Sequence, residues 1–147
     1  MPCELPLVRH GAILIVLGLL SGFTTAFVAA PNMALAAHSI GILQGTLTIA
    51  LSFLWPVLAT HGYELRLTKY ALLIGFYCNW LGAQLAGMWS AKMMATVSGS
   101  TMPDGAAQWQ EIVVVILLNA SILVLVAFVY LVYVFSKIIQ PKRRDDT

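Results

Sequence analysis

Residues 11–30 have the sequence GAILIVLGLLSGFTTAFVAA, which contains no charged side chain. At a rise of about 1.5 Å per residue, a helix of this length crosses the hydrocarbon core of a bilayer, which is about 30 Å thick. The apolar core of a secretory signal peptide is shorter, about 7–15 residues. We therefore interpret this segment as a transmembrane helix that is retained, although Arg9 precedes it and small residues close it.

Three more apolar segments follow, at residues 36–59, 67–89 and 112–139. Each has the length and composition of a membrane-spanning helix. Backbone groups in lipid must bond internally, and the sequence lacks the alternating segments of about ten residues that form β-barrel strands. The sequence therefore predicts a single all-α membrane domain over residues 1–147, a bundle of four transmembrane helices.

The composition excludes several other classes of protein. Of the 147 residues, 60% are hydrophobic and 10% are charged, whereas an ordinary soluble domain has about 25% charged residues. A chain this short has too much surface for its volume to bury so many apolar side chains, which excludes a soluble monomer and a disordered chain. A net charge of only +2, with no basic stripe, excludes a nucleic-acid-binding protein.

The basic residues are distributed unequally between the two sides of the predicted bundle. Both termini and the second link share one side, which carries seven basic residues against Lys92 alone on the other. Because basic loops stay in the cytoplasm, this bias predicts a multi-pass protein of a bacterial-type inner membrane with both termini cytoplasmic. The seven residues are Arg9, Arg66, Lys69, Lys137, Lys142, Arg143 and Arg144.

The predicted spans contain no charged residue at depth, which argues against a proton-coupled transporter, since such proteins commonly use an embedded carboxylate. They contain amides instead: Gln44, Gln84 and Asn119 lie in the outer half of the bilayer by helical rise, with Asn79 about 15 Å from the outer end. Membrane helices use such amides to hydrogen-bond one another, and buried ligand pockets use them as well. Both interpretations remain open from the sequence.

His38 opens the second predicted span, with Gly41 and Gly45 on nearly the same helical face. Imidazole binds haem iron and metal ions, and the glycines remove side chains that would keep a flat porphyrin away from the helix. The same glycines form a GxxxG motif, which packs one membrane helix against another. These residues point either to a cofactor site with His38 as the metal ligand or to a helix contact. By contrast, His10 and His61 are predicted to lie at membrane edges, in contact with solvent.

Small residues form close-approach rows on two other predicted spans. Such rows let helix backbones approach one another in lipid, both within a chain and between copies. Their number favours a homo-oligomer. The rows consist of Gly18 and Gly22 in the first span and of Gly75, Asn79, Gly82 and Ala86 in the third.

The sequence resembles the hydroxylaminobenzene mutase and styrene oxide isomerase family of small four-helix membrane isomerases, over roughly residues 9–138. The matching motifs are short and lie at the openings of the first two spans and inside the second and third. They are Arg9-His10-Gly11, Ala37-His38-Ser39, the glycine-bounded segment 41–45, a break at Trp55-Pro56, and Asn79.

This resemblance implies a homotrimer that uses ferric haem b as a Lewis acid, with His38 as the iron ligand and Asn79 in the active site. The sequence has no CxxCH motif, so the haem would be bound without a covalent link. Gly41 and Gly45 would then lie beside the cofactor.

Three positions depart from the styrene oxide isomerase pattern. Gln44 stands where that isomerase has an asparagine, and Gly75 and Ala83 stand where it has an aspartate and a tyrosine. The groups that handle an epoxide are therefore missing. This favours the mutase branch of the family, which rearranges an aryl hydroxylamine to an ortho-aminophenol.

On this interpretation the candidate catalytic residues are Asn79, Gln44 and Gln84, which would orient the hydroxyl group as it moves from nitrogen to the ring. The substrate would be a small aromatic hydroxylamine, formed during the degradation of aromatic nitro compounds. A dry aromatic wall would keep bulk water from trapping the reactive intermediate. The residues expected in that wall are Phe76, Tyr77 and Trp80.

Three other functions compete with this one. A small transporter or an accessory subunit would need no cofactor and no chemistry. An epoxide isomerase would belong to the same family. A haem-binding electron-transfer subunit usually supplies two axial ligands, and no second histidine lies well inside a predicted span.

Overall fold

A computed structural model describes residues 3–61, 65–93 and 105–139 of the chain. These residues form α-helices and no strand. Four segments are long and apolar enough to cross a membrane, with α4 and α5 counted together as one, so the predicted all-α class with four membrane helices is confirmed. The helices are α1 (Leu5–Thr24), α2 (Pro31–Thr60), α3 (Arg66–Trp89), α4 (Gln108–Ala120) and α5 (Ile122–Ile139).

Two helices begin before their uninterrupted apolar segments, because each has a proline in its first turn. Pro6 follows Leu5 at the start of α1, and Pro31 is the first residue of α2. Proline suits these positions, since its fixed φ is already helical and the first N–H groups of a helix have no partner within the helix. Hydropathy alone predicts these starts at residues 11 and 36.

Pro56 lies inside α2, which continues through it to Thr60. Because proline has no N–H group, the carbonyl of Ser52 four residues earlier loses its helical partner. The backbone N–H of Glu4 donates to that carbonyl at 3.0 Å. The Glu4 carboxylate also pairs with Lys69 of α3. The proline thus frees the acceptor that docks the start of α1 against α2, and the ion pair joins the same point to α3.

Glycine faces bring α1 and α2 together. A Cβ atom added at Gly41 would lie 2.5 Å from the Cα atom of Gly18, and one added at Gly45 would lie 2.6 Å from the carbonyl oxygen of Gly11. Backbones that approach this closely are characteristic of the GxxxG mode of packing in membranes. Of the two interpretations of Gly41 and Gly45, the structure therefore shows the helix contact.

The third helix, α3, contacts each of the other four. The N–H of Ala30 donates to the carbonyl of Gly87 at 2.9 Å, so the turn between α1 and α2 meets the end of α3. On another face, Gly75 and Gly82 of α3 approach α5 and α4. A buried apolar cluster joins α1, α2, α3 and α5, and includes Leu14, Trp55, Leu72, Phe76 and Leu131.

Glu111 joins the start of α4 to the residues that follow α3. That helix ends at Trp89, and Ser90 follows in a left-handed conformation with φ of 58°. The backbone N–H groups of Lys92 and Met93 donate to the two carboxylate oxygens of Glu111, at 2.7 and 2.9 Å. A single side chain therefore satisfies two backbone donors beyond the end of α3.

Replacing Glu111 with alanine is expected to lower the free energy of unfolding by about 1–2 kcal/mol, because two N–H groups lose a charged acceptor. Glu111→Gln keeps one acceptor oxygen and is expected to cost about half as much. Thermal unfolding of the detergent-solubilised protein, followed by circular dichroism, measures the difference. An alanine variant as stable as the wild type would show that these bonds contribute nothing.

Candidate functional site

Two of the predicted amides line one cavity. Gln44 of α2 and Asn79 of α3 border a cavity of about 480 Å³ together with Ser121, which lies between α4 and α5. The remaining wall is apolar, and none of the described residues that line the cavity is charged. The apolar lining residues are Val124, Leu125 and Phe128.

Two glycines hold α4 and α5 against α3 on either side of Asn79. A Cβ atom added at Gly75 would lie 2.5 Å from the Cγ2 atom of Val124, and one added at Gly82 would lie 2.9 Å from the Cδ2 atom of Leu118. Asn79 is four residues after the first glycine and three before the second, so all three lie on one face of the helix. The small-residue row of α3 is therefore used inside the chain, and it sets Asn79 opposite the α4–α5 junction.

Both cavity amides are available to a ligand. The Oε1 atom of Gln44 is buried without a hydrogen-bond partner. Within the described ranges, the Asn79 side chain likewise has no hydrogen bond. A buried acceptor without a protein partner can accept a hydrogen bond from a ligand, and the Oε1 atom of Gln84 is unpartnered in the same way. These two amides therefore do not serve as hydrogen bonds between helices.

Gln84 contacts α1 and does not take part in the cavity. It is 7% exposed, and its Nε2 atom donates to the hydroxyl of Thr24 in α1 at 3.0 Å. One turn earlier, the indole N–H of Trp80 donates to the hydroxyl of Ser21, also at 3.0 Å. Gln84 thus joins α3 to α1 and does not border the cavity. The fourth amide, Asn119, is exposed and donates to the carbonyl of Val115 in its own helix at 2.8 Å.

His38 packs against α1 rather than facing the cavity. Its Nδ1 atom lies 2.9 Å from the carbonyl oxygen of Gly18, and a Cβ atom added at Gly22 would lie 2.8 Å from the same nitrogen. A carbonyl accepts only, so Nδ1 carries the proton and Nε2 keeps its lone pair. Histidines that bind metals are usually held in this way, with the second nitrogen donating to a carbonyl or carboxylate. The ring is half-buried, and it therefore fits the role of a single iron ligand.

The glycines below His38 do not fit a porphyrin cradle. The space over Gly41 and Gly45 is filled by the backbone of α1, at 2.5 Å from Gly18 and 2.6 Å from Gly11. A flat group bound to His38 within this chain would have to lie on another side of the ring. In the structure these two glycines hold α2, the helix that carries the histidine, against α1.

His10 is not simply solvated, in contrast to the sequence-based expectation. Its Nδ1 atom lies 3.1 Å from the hydroxyl of Tyr77, and the two rings meet edge to face with centroids 5.9 Å apart. This contact occupies Tyr77, while Phe76 is 2% exposed in the apolar core and Trp80 bonds to α1. The aromatic wall of the cavity comes instead from Phe128 of α5.

Sequence reasoning missed Ser121 and Phe128. The segment that contains them is the most hydrophobic of the four and predicts one continuous helix. The available signal was Ser121 itself, since serine hydroxyls that bond back to the preceding turn often bend membrane helices. In the structure its Oγ atom donates to the carbonyl of Leu118 at 2.6 Å.

Known proteins are similar in sequence to this chain over most of its length. A family model described as styrene oxide isomerase matches residues 4–136. Hydroxylaminobenzene mutase HabB of Ectopseudomonas oleovorans is 34% identical over 129 residues, which cover 86% of this chain and 78% of that protein. Hydroxylaminobenzene mutase HabA of the same organism is 38% identical over 85 residues, which cover 58% of this chain and 63% of that protein. Among solved structures, none matches this chain.

The matched region contains His38 and all the residues that line the cavity. The family and both relatives are named for isomerases or mutases, which supports the enzyme class expected from the sequence. The chain belongs to the styrene oxide isomerase family.

Proposed function

We propose that this protein rearranges an aryl hydroxylamine to an ortho-aminophenol, with ferric haem b held by His38. The observation that carries the proposal is the cavity of about 480 Å³, which is lined by the buried, unpartnered Oε1 atom of Gln44, by the amide of Asn79 and by an apolar and aromatic wall. The names of the two curated relatives support the same substrate class.

The rearrangement needs no external oxidant or reductant. The N–O bond of the hydroxylamine breaks, and a C–O bond forms at the ortho carbon of the ring. That carbon loses its proton, and the nitrogen gains one, so the product is an isomer of the substrate. Catalysis must therefore weaken the N–O bond and direct the hydroxyl group to the neighbouring carbon.

His38 does not itself line the cavity, so the proposal requires the bound haem to reach the substrate there; when bound, it would supply a Lewis acid that weakens the N–O bond. His38 is suited to hold it, since Nδ1 is engaged with the carbonyl of Gly18 and Nε2 is left for iron. Within the described ranges, no three His, Cys, Asp or Glu side chains cluster in a way that would hold a bare metal ion.

The cavity residues would bind and orient the substrate. The orphaned Oε1 atom of Gln44 would accept a hydrogen bond from the substrate N–H or O–H group. The amide N–H of Asn79 would donate to the departing oxygen and direct it to the ortho carbon. Phe128 and its aliphatic neighbours would pack against the ring and keep competing water from that side of it. Gln84 would act indirectly, by fixing α1 against α3.

We further infer a homotrimer in a bacterial-type inner membrane, with both termini in the cytoplasm. The charge distribution supports this orientation, with seven basic residues on one predicted side and Lys92 on the other. The half-buried ring of His38 supports a cofactor at the surface of the single chain, where a second copy would complete its enclosure.

Purified protein reconstituted with haem tests the function. Phenylhydroxylamine should be converted to 2-aminophenol, and in ¹⁸O-labelled water the product should contain little label, because the hydroxyl group returns from the same molecule. Styrene oxide serves as the comparison substrate, since the family model bears that name. Absence of 2-aminophenol from a haem-loaded preparation, or faster turnover of styrene oxide, would overturn the proposal.

Asn79→Ala is expected to lower kcat for phenylhydroxylamine by about 10²-fold, the usual loss when one donor to a developing negative oxygen is removed. Asn119→Ala is the matched control, since that amide is exposed on α4 and lies outside the cavity. Steady-state kinetics with quantified 2-aminophenol measure both variants. Equal activity of the two variants would remove Asn79 from the mechanism.

A further inference from the structure

The junction between α4 and α5 interrupts the most apolar span of the chain without a proline or a glycine. The N–H of Ser121 donates to the carbonyl of Leu118 at 3.2 Å, and the N–H of Val124 donates to the carbonyl of Ser121 at 2.9 Å. These bonds span three residues, as in a tightened 3₁₀ turn. An interrupted helix at membrane depth is tolerated where it is buried in protein or lines a cavity, and Ser121 lines the cavity with Gln44 and Asn79.

The hydroxyl of Ser121 is left as an acceptor towards a ligand. Its hydrogen is used in the bond to the carbonyl of Leu118, at 2.6 Å. A hydroxyl oxygen has two acceptor positions besides its hydrogen, and no donor to this oxygen is present in the described ranges. The cavity therefore combines two acceptors, the Ser121 Oγ and the Gln44 Oε1 atoms, with the amide of Asn79.

We infer that Ser121 is a substrate-binding residue, whose Oγ atom accepts one hydrogen bond from the polar head of the substrate while Gln44 accepts the other. This inference rests on the proposed function. An aryl hydroxylamine carries two donors on adjacent atoms, N–H and O–H, and the cavity offers two acceptors for them. Asn79 then faces the oxygen that moves, and the ring lies against the apolar wall.

The lining also restricts the ring. Among the described residues no charged side chain borders the cavity, so a carboxylate on the ring would find no opposite charge there. We therefore expect an uncharged aryl hydroxylamine to bind more tightly than a carboxylated one. This restriction follows from the residues that surround the ring and is separate from the role of Ser121.

A purely structural serine would make a different prediction. If Ser121 only bends the helix, its removal should disturb all ligands of the cavity alike. If its oxygen binds the substrate, its removal should weaken only ligands that carry a donor on a second atom, the oxygen. Aniline carries its two N–H donors on nitrogen alone, whereas 2-aminophenol also carries an O–H donor on the neighbouring ring carbon.

The test uses the full-length protein loaded with haem, with ligand binding measured by isothermal titration calorimetry. Ser121→Ala is expected to raise the Kd of 2-aminophenol by about 5- to 10-fold, the factor that corresponds to one hydrogen bond, and to leave the Kd of aniline within about twofold. The KM for phenylhydroxylamine should rise by a similar factor with a smaller change in kcat. Ser121→Thr retains the hydroxyl and should restore wild-type values.

Ser136→Ala is the matched control. Ser136 lies in α5 and also bonds back to its own helix, at 2.8 Å from the carbonyl of Val132, but it is exposed and outside the cavity. A Ser121→Ala variant that binds both ligands as the wild type does, or that loses both equally, would overturn the inference. If Ser121→Ala weakens the binding of 2-aminophenol but not of aniline, and the wild type nevertheless forms no 2-aminophenol from phenylhydroxylamine, the proposed function would be overturned. The role of Ser121 in binding would still be supported.

Discussion

A His38→Ala variant is expected to lose both the Soret absorbance of haem and the rearrangement of phenylhydroxylamine. The carbonyl of Gly18 holds Nδ1 at 2.9 Å, which leaves Nε2 as the nitrogen for iron. Alanine removes that nitrogen, and the described residues contain no group of three His, Cys, Asp or Glu side chains that could hold the iron instead. A Lewis acid contributes several kcal/mol to transition-state stabilisation, so activity should fall by at least about 10³-fold.

Two comparisons separate ligand loss from misfolding. His38→Gly with added imidazole should recover part of the Soret band and part of the activity, because free imidazole can occupy the position of the missing side chain. His61→Ala should keep both, since His61 is exposed at the end of α2 and bonds to Val57 in its own helix. A His38→Ala protein that retains its Soret band, or a fully active wild type without haem, would contradict the assignment.

The depth of each amide could be predicted from the sequence, but its neighbour could not. Helical rise sets the depth of Gln44 and Asn79, and the two do meet in one cavity. Gln84 lies five residues beyond Asn79, which is about 140° around the helix, so the two amides cannot share one face. That angle was available from the sequence. The identity of the facing helix was not, because it depends on how Gly75 and Gly82 bring α4 and α5 against α3.

The glycines of α2 show the same limit. A GxxxG motif indicates a close approach but not what approaches, and Gly41 is equally suited to a porphyrin or a helix. The neighbour in the structure is Gly18, whose own GxxxG pattern on the preceding span completes the match. The break at Ser121 was still harder to predict, since the hydropathy around it is the highest in the chain and a single serine rarely ends a predicted helix. Hydropathy determines which segments enter the membrane, whereas packing determines which polar residues meet.

Gly41→Val is expected to lower the free energy of unfolding by about 3 kcal/mol, the upper end of the cost of overpacking a tight contact. The first added carbon would lie 2.5 Å from the Cα atom and 2.8 Å from the backbone nitrogen of Gly18, and 2.9 Å from the carbonyl oxygen of Leu14. All three are backbone atoms, so no side chain can turn away to make room. The two helices must separate, and close backbone contact is the main source of stability between membrane helices.

The same separation would reach the proposed cofactor site. His38 depends on the carbonyl of Gly18 for its orientation, so Gly41→Val should weaken haem binding together with the fold.

Gly41→Ala is a sharper test of the contact. Alanine stabilises a helix relative to glycine by up to about 1 kcal/mol, so a lower free energy of unfolding can arise only because the added Cβ atom collides with the backbone of α1. Ala50→Val adds two carbon atoms, one fewer than Gly41→Val, at an exposed position of α2 and should be nearly neutral. Thermal unfolding in detergent, followed by circular dichroism and by Soret absorbance, should rank Gly41→Val as the least stable, then Gly41→Ala, with Ala50→Val near the wild type. If Gly41→Val and Ala50→Val unfold at the same temperature, α1 and α2 are not held together by this glycine contact.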